Sequence, residues 1–398
     1  MSVQILDNSF GLVTEPSEVM TAPSLCSMLS LQLFKMASLL TDPVCKSHEC
    51  FRRMQVVPAL HVQENAVLHV ARRVLLAVAV VFYGFCALFT TPPAIGIKAL
   101  AISLQKEPFI QECKQIGKTL PLDKTFSILS WNICCVGAGY SISDGGVVPW
   151  SFRVDRLAQA IAQQKADVVC LYETFDLHSA LAMAEKLRKE GYDHLYYNIG
   201  PKAVGVSSGI FVASKYSIAR PEFAPFSQEM LVGRTKHAAK GIFSFTLQSQ
   251  GKDFARIHAT HLQHSEIPGA PTKEEVHARK LEMQKMIEKT KELSARALCQ
   301  VVTGDLNLDD EEYASSSWKS SFVKGDKYTK KTWGGDTFCA NLMGKSVSKE
   351  LNLDHTMIVK GSAKSLETTL VETGYDPLVF NSEALSDHEG LLTKVKVY

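Results

Sequence analysis

Cys299-Gln300-Val301-Val302-Thr303-Gly304-Asp305-Leu306-Asn307 decides how this chain reads. Its first half is a short apolar, β-branched run of strand character, and its second half is a turn carrying a carboxylate and an amide. The same order recurs along the chain. Residues 126–132 close on Asn132, residues 167–172 lead into Glu173, and residues 255–262 carry His261 near their end. Residues 209–213 and 241–247 read as further strands. Two more, 356–360 and 391–397, close the region, with Asp354 ahead of the first and Asp387-His388 ahead of the second.

Helical patterns alternate with these strands. Val154, Leu157 and Ile161 share one face of an expected helix, and another is expected from Ser179 to Glu190. A third is expected to start at Thr272, with Glu275 three residues on as a capping box and Val276, Met283 and Met286 facing inward. Strands alternating with helices place residues 123–398 in the α/β class.

The N-terminal third differs. Residues 1–73 carry no chemistry that can be named. Residues 74–89 contain no charged side chain and would reach about 24 Å as a helix, short of the roughly 30 Å hydrocarbon core. Thr90-Thr91-Pro92-Pro93 interrupts them, and residues 94–104 are apolar again apart from Lys98. Since proline breaks helices, residues 74–104 are expected to form a membrane-associating hairpin. Val74, Leu75, Leu76, Phe82, Phe85, Leu88 and Phe89 would be its lipid contacts. Arg72-Arg73 before it and Lys106, Lys114 and Lys118 after it would keep both ends in one aqueous compartment. The competing reading is a buried hairpin of a soluble domain. Phe223, Phe226, Met230 and Leu231 are expected to be ordinary loop packing, with a second interfacial contact as the alternative.

Composition narrows the partners. Residues 1–122 hold 10 Lys+Arg against 8 Asp+Glu, and residues 123–398 hold 33 against 33. The catalytic part lacks the basic surplus that displaces counterions from nucleic acid. The ten cysteines show no metal-ligand spacing and read mostly as buried thiols. Residues 1–20 lack the pattern of a cleaved secretory signal.

Glu173 and Asn132 offer hard oxygen ligands that suit Mg²⁺, or Mn²⁺ in its place, rather than zinc. The two histidines and a partner carboxylate offer a general base and a general acid near neutral pH. No Walker-type loop is present, and no cysteine heads a Gly/Arg loop. These features suit phosphodiester hydrolysis.

Leu129-Ser130-Trp131-Asn132, Leu171-Tyr172-Glu173-Thr174, the stretch from Ser208 to Lys215, Thr260-His261-Leu262-Gln263, Gly304-Asp305-Leu306-Asn307, Leu353-Asp354-His355 and Ser386-Asp387-His388 together resemble the endonuclease/exonuclease/phosphatase superfamily. Within it the chain is most similar to neutral sphingomyelinases, through Thr260-His261-Leu262-Gln263 with its charged helix and through Lys240-Gly241. Tyr172 stands where the nucleases of the superfamily have Gln, and the Trp-Cys-Asp-Arg signature of inositol-polyphosphate 5-phosphatases is absent. The resemblance implies a deoxyribonuclease-like four-layer αββα sandwich, here with an N-terminal extension carrying the apolar helical hairpin. It assigns Glu173, Asn132 and Asp387 to the metal and Lys240 to the substrate. Asp305 and Asn307 would orient water and phosphate. His388, oriented by Asp354, would be the base, and His261 would assist the leaving oxygen.

The expected activity is hydrolysis of sphingomyelin to ceramide and phosphocholine by a membrane-associated protein whose catalytic domain lies in an aqueous compartment. The alternatives are a DNA or RNA phosphodiesterase of the same fold and a catalytically silent membrane-anchored scaffold. The apolar hairpin also resembles, in architecture, inclusion-membrane effectors of intracellular bacteria.

Overall fold

The structure is a computed structural model. It describes residues 25–54, 65–113, 118–119, 121, 123–136, 147, 150–267, 269–292, 298–334, 350–372 and 385–398. The strands are β1 (Ile110–Cys113), β2 (Thr125–Asn132), β3 (Val168–Tyr172), β4 (His194–Tyr197), β5 (Phe211–Ser214), β6 (Ser217–Pro225), β7 (Gly241–Ser249), β8 (Lys252–His261), β9 (Cys299–Asp305), β10 (Phe322–Lys324), β11 (Asp354–Val359), β12 (Ser365–Val371) and β13 (Gly390–Lys396). The helices are α1 (Leu25–Met54), α2 (Ala66–Leu104), α3 (Val154–Gln163), α4 (Leu177–Lys189), α5 (Lys273–Lys291) and α6 (Asp310–Ser315).

Two sheets pack face to face. One is seven-stranded, β1-β4-β5-β3-β2-β13-β12, and the other six-stranded, β10-β11-β9-β8-β7-β6. Alternation along each strand serves both faces. In β2 and β3, Phe126, Ile128, Val168, Cys170 and Tyr172 point between the sheets, where they meet Phe243, Phe245, Ile257 and Val301. Leu129, Trp131, Val169 and Leu171 point outward against Leu157 and Ile161 of α3 and Met183 and Leu187 of α4. Behind the second sheet, Met283, Met286 and Ile287 of α5 cover Ile242, Val302 and Met357. This is the expected αββα sandwich. Helix α5 begins with the capping box of Thr272 and Glu275, but Val276 is only half-buried.

Strand direction collects the polar ends. β2 and β3 are parallel, as are β8 and β9. The carboxyl ends of both pairs therefore lie at one edge of the sandwich. β11 runs antiparallel to β9 with Asp354 opposite Asp305, and β13 runs antiparallel to β2 with Leu391 opposite Ser130. Asp354 and His388 thus enter that edge from the amino ends of their strands.

The N-terminal region departs from expectation. Residues 74–104 form no hairpin: α2 is one continuous helix that carries Pro92 and Pro93 within it. Its partner is α1, within residues 1–73. Ser30 Oγ donates to Ala101 O (2.7 Å) and Ser47 Oγ to Val80 O (3.0 Å), so the two helices run antiparallel. Packing overrides the proline signal, because Ala94 and Ala101 beyond the prolines are buried and hold the last turns in line. Phe34 and Ala101 join the core of α3 and α4, so this base of the helix pair is part of the sandwich. Val74, Leu75, Phe82, Phe85, Leu88 and Phe89 are exposed, whereas Leu76 is half-buried.

Two smaller expectations also change, and one alternative is decided. The catalytic sheet begins before residue 123, since β1 pairs with β4. Lys118 is tied to Asp167 (2.6 Å), a buried residue of the sandwich, and Lys114 lies outside the described residues. Phe226 and Leu231 are buried against α5 and Met230 packs with them, while Phe223 joins the inter-sheet core. The loop therefore packs inward, as ordinary loop packing would have it, and the alternative of a second interfacial contact falls away. Among the described residues no cysteine forms a disulfide, and Cys134, Cys135, Cys170 and Cys299 are buried.

Candidate active site

Each site residue sits where a strand turns. Glu173 and Asn307 take left-handed backbone conformations (φ 62° and 50°), which turn the chain sharply after β3 and β9. Thr174 N donates to Gly209 O (2.9 Å) and Asn307 N to Asp305 Oδ1 (3.0 Å), fixing both turns. Gly304 lies beside Thr260 of β8, and any Cβ there would come within 1.9 Å of Thr260 O. Only glycine lets β8 and β9 bring His261 and Asp305 level with each other.

Asp305 is the hub. Asn132 Nδ2 donates to its Oδ2 (2.9 Å), and His261 Nε2 and His388 Nε2 lie 3.5 Å and 3.8 Å from the same oxygen. His261 Nε2 is also 3.9 Å from Glu173 Oε1. His388 Nδ1 is bonded to Asp354 Oδ2 at 2.7 Å. Among the described residues, Glu173, His261 and Asp305 form one group of converging ligand atoms, and Asp305, Asp354 and His388 form another. Asn307 Nδ2 donates to Leu262 O (3.4 Å) and Lys240 Nζ to the same carbonyl (3.3 Å). Asp387 is buried beside His388 and its charge acts on both His388 and Glu173. All nine polar positions expected from the sequence therefore meet at one edge.

The electrostatics separate the two histidines. Burial works against charge on His388, but the carboxylates of Asp354, Asp305 and Asp387 outweigh it and raise its pKa well above the usual value. His261 goes the other way: burial, reinforced by Lys240, lowers it well below the ordinary range. Neither of its ring nitrogens makes a hydrogen bond. The ring is held instead by packing near Tyr172 and Phe175, so both nitrogens are available to a bound group. Burial and the neighbouring Asp387 push Glu173 up to about 7, against His388 and Lys240. Burial brings Lys240 down to about 8 despite Glu173, Asp305 and Glu282.

The donor set fits a hard divalent cation. Among the described residues, carboxylate oxygens of Glu173, Asp305 and Asp354 outnumber the two imidazoles in the converging groups, and no thiolate is among them. Four crowded carboxylates are stabilised by positive charge, and Glu173 keeps 23% of its side chain exposed at the mouth, where an ion can enter.

Several residues that shape the site were not recognised from sequence. Thr332 Oγ1 accepts from Leu353 N (3.0 Å) and Asp354 N (3.2 Å), while Glu389 N donates to Thr332 O (2.8 Å). Thr332 thus joins the strands of the Asp354–His388 pair. Trp131 Nε1 donates to His388 O (2.9 Å), and Ser386 Oγ donates to Asn132 O (2.6 Å). Glu282 of α5 accepts from Gln263 N (2.8 Å) behind the His261 loop. The Trp and Ser were visible inside the motifs; Thr332 and Glu282 carry no local signal.

Residues 129–388 match the sequence model of the Endonuclease/Exonuclease/phosphatase family. The fold is similar to that of Sphingomyelinase C from Streptomyces griseocarneus, at a TM-score of 0.54 and 18% identity, covering 68% of this chain and 99% of that one. It is also similar to a beta toxin variant from Staphylococcus aureus with bound magnesium ions, at a TM-score of 0.55 and 18% identity, covering 69% and 99%. Truncated TDP2 from Caenorhabditis elegans matches at a TM-score of 0.51 and 19% identity, covering 69% and 98%.

Proposed function

The chain belongs to the Endonuclease/Exonuclease/phosphatase family, and from that membership we propose that it is a Mg²⁺-dependent neutral sphingomyelinase, hydrolysing sphingomyelin to ceramide and phosphocholine at a membrane. The observation that carries the reading is the convergence of Glu173, His261, Asp305, Asp354 and His388 at one edge in a chain that also exposes a long apolar helix.

Glu173 would hold the cation, with Asn132 and Asp387 beside it; a bound ion would supply Lewis-acid polarisation of the phosphoryl group and positive charge against the carboxylates. Asp305 and Asn307 orient the attacking water and the phosphate. The carboxylates around His388 favour its charged form; with their charge offset by a bound cation, His388, held by Asp354 through its Nδ1, could lose its Nε2 proton and serve as the base for the attacking water. His261, neutral and with both nitrogens unengaged, hydrogen-bonds the phosphate and assists departure of the ceramide oxygen. Lys240, buried beside these groups, adds positive charge on the phosphate side.

Two features favour a lipid over a nucleic acid. Residues 123–398 have no net charge, and α2, long and apolar enough to cross a membrane, exposes Val74, Leu75, Val78, Val81, Phe82, Phe85, Leu88 and Phe89 along about 24 Å of uncharged helix. Lys98, near the base of α2, donates to Gly205 O (3.2 Å) in the segment that leads to Gly209 beside Glu173. A bilayer that receives α2 would therefore lie beside the rim of the site.

The test is a side-by-side assay of the full chain on sphingomyelin in mixed micelles and on single- and double-stranded DNA and RNA, each with Mg²⁺ and with EDTA. Mg²⁺-dependent release of phosphocholine is expected. Cleavage of nucleic acid alone would replace the lipid by a nucleic-acid substrate, and inactivity on all of them would leave a membrane-anchored scaffold.

A further inference from the structure

Arg153 stands immediately before α3 and is fully buried. Its guanidinium donates to three main-chain carbonyls, Ile133 (2.7 Å), Cys134 and Leu385. Ile133 and Cys134 follow Asn132 at the end of β2. Leu385 opens the segment that carries Asp387 and His388. One side chain therefore binds the two strands of chain that bring opposite halves of the site together.

The bonds continue inward from there. Cys134, in a left-handed conformation (φ 47°), donates its N–H to Asn132 Oδ1 (3.0 Å). That contact fixes the amide so that Nδ2 points at Asp305 Oδ2 (2.9 Å). On the other branch, His388 N donates to Ser386 Oγ (3.2 Å), one residue beyond Leu385.

We propose that Arg153 is a positioning residue for the phosphodiester site, whose planar fork sets the spacing between the Asn132–Asp305 half and the Asp387–His388 half. The inference rests on the metal-dependent hydrolase reading given above. Arginine suits the task because its donors radiate in one plane toward several carbonyls, whereas a lysine ammonium is a single point on a shorter reach. No contact of Arg153 with substrate is required.

The experiment uses the full chain with Arg153→Lys and Arg153→Gly. Mg²⁺ affinity is read by titration calorimetry and by the Mg²⁺-induced rise in unfolding temperature, both without substrate; kcat and KM are read on detergent-solubilised sphingomyelin. Arg153→Lys should unfold cooperatively yet bind Mg²⁺ and turn over about 10-fold less well, the scale typical of groups that orient metal ligands, with KM little changed. Added guanidinium should restore Mg²⁺ affinity to Arg153→Gly, and methylammonium should not. If Arg153→Gly does not fold, the lysine variant decides. An Arg153→Lys protein with a lower unfolding temperature but unchanged Mg²⁺ affinity and kcat would overturn the proposal, leaving only a packing role. If the parent hydrolyses no phosphodiester but binds Mg²⁺, the affinity data still judge Arg153 while the functional reading fails separately. A parent that binds no Mg²⁺ overturns both.

Discussion

Gly304→Ala adds one methyl group where β8 and β9 touch. The new Cβ would lie 1.9 Å from Thr260 O and 3.0 Å from Thr260 C. Carbon and carbonyl oxygen ordinarily approach no closer than about 3.3 Å, so β8 and β9 must separate by about 1.4 Å at this point. Neither strand can yield alone. Thr260 is paired with Ile242 and donates through Oγ1 to Gly241 O (2.9 Å), while Gly304 is paired on its other side with His355. The strain falls at the upper end of the 1–3 kcal/mol typical of overpacking, and about 3 kcal/mol lowers Tm by roughly 6–12 °C in a domain of this size. The next residue pair in register is His261 with Asp305, and a misplacement of about 1 Å in a catalytic constellation costs about 10²-fold in turnover. Thermal unfolding followed by circular dichroism, with turnover measured well below Tm, tests both parts. Gly96→Ala is the control, because a Cβ there meets nothing within 4 Å. A Gly304→Ala protein that melts within about 2 °C of the parent and retains normal turnover would refute the close approach and the site geometry built on it.

Four further outcomes are expected. Glu173→Gln should raise the Mg²⁺ concentration for half-maximal activity by about tenfold or more, because an amide lacks the charge a hard cation favours; full activity of the parent in excess EDTA would remove the metal altogether. His388→Ala and His261→Ala should each lower kcat by about 10² or more with the fold intact, and near-normal turnover in a folded His388→Ala protein would show that the base is elsewhere. Replacing Phe82, Phe85, Leu88 and Phe89 by Ser removes apolar side chains worth about 1.5–3 kcal/mol each when buried in lipid; the variant should float free of vesicles yet hydrolyse detergent-solubilised substrate, and continued co-sedimentation would place the anchor elsewhere. His258, buried between Ser244 and Gln300, has its pKa lowered to about 3, by burial first and by Arg256. The unfolded chain therefore binds the extra proton once pH falls below about 6.5, and stability is lost at up to about 1.4 kcal/mol per pH unit from there down to about pH 3. Urea midpoints of His258→Gln should fall less steeply with acid than those of the parent, and parallel curves would exclude this histidine.

The sequence alone determined the alternation of strands and helices and the identity of the polar groups at their ends. Those signals are local. A strand that ends in Gly-Asp-Leu-Asn must turn there, Thr272 and Glu275 close their capping box within one helical turn, and the spacing of Val154, Leu157 and Ile161 makes one face of α3 apolar. Five strands escaped: β1, β4 and β10 have only three or four residues and carry too little periodicity, while β6 and β12 lie at the sheet edges, bury little and so lack an apolar run. Tertiary structure alone decided the rest. Whether Pro92-Pro93 ended a helix depended on α1, whose Ser30 lies 71 positions from its partner Ala101. The direction of the shift on His388 depends on carboxylates delivered by β9, β11 and its own loop. Arg153 reads as an ordinary helix-flanking cation until the fold brings Leu385, 232 positions away, against its guanidinium. Patterns along a chain report what covalent neighbours prefer. Hydrogen bonds, desolvation and electric fields act through space, and in this protein they joined the candidate ligands into one site.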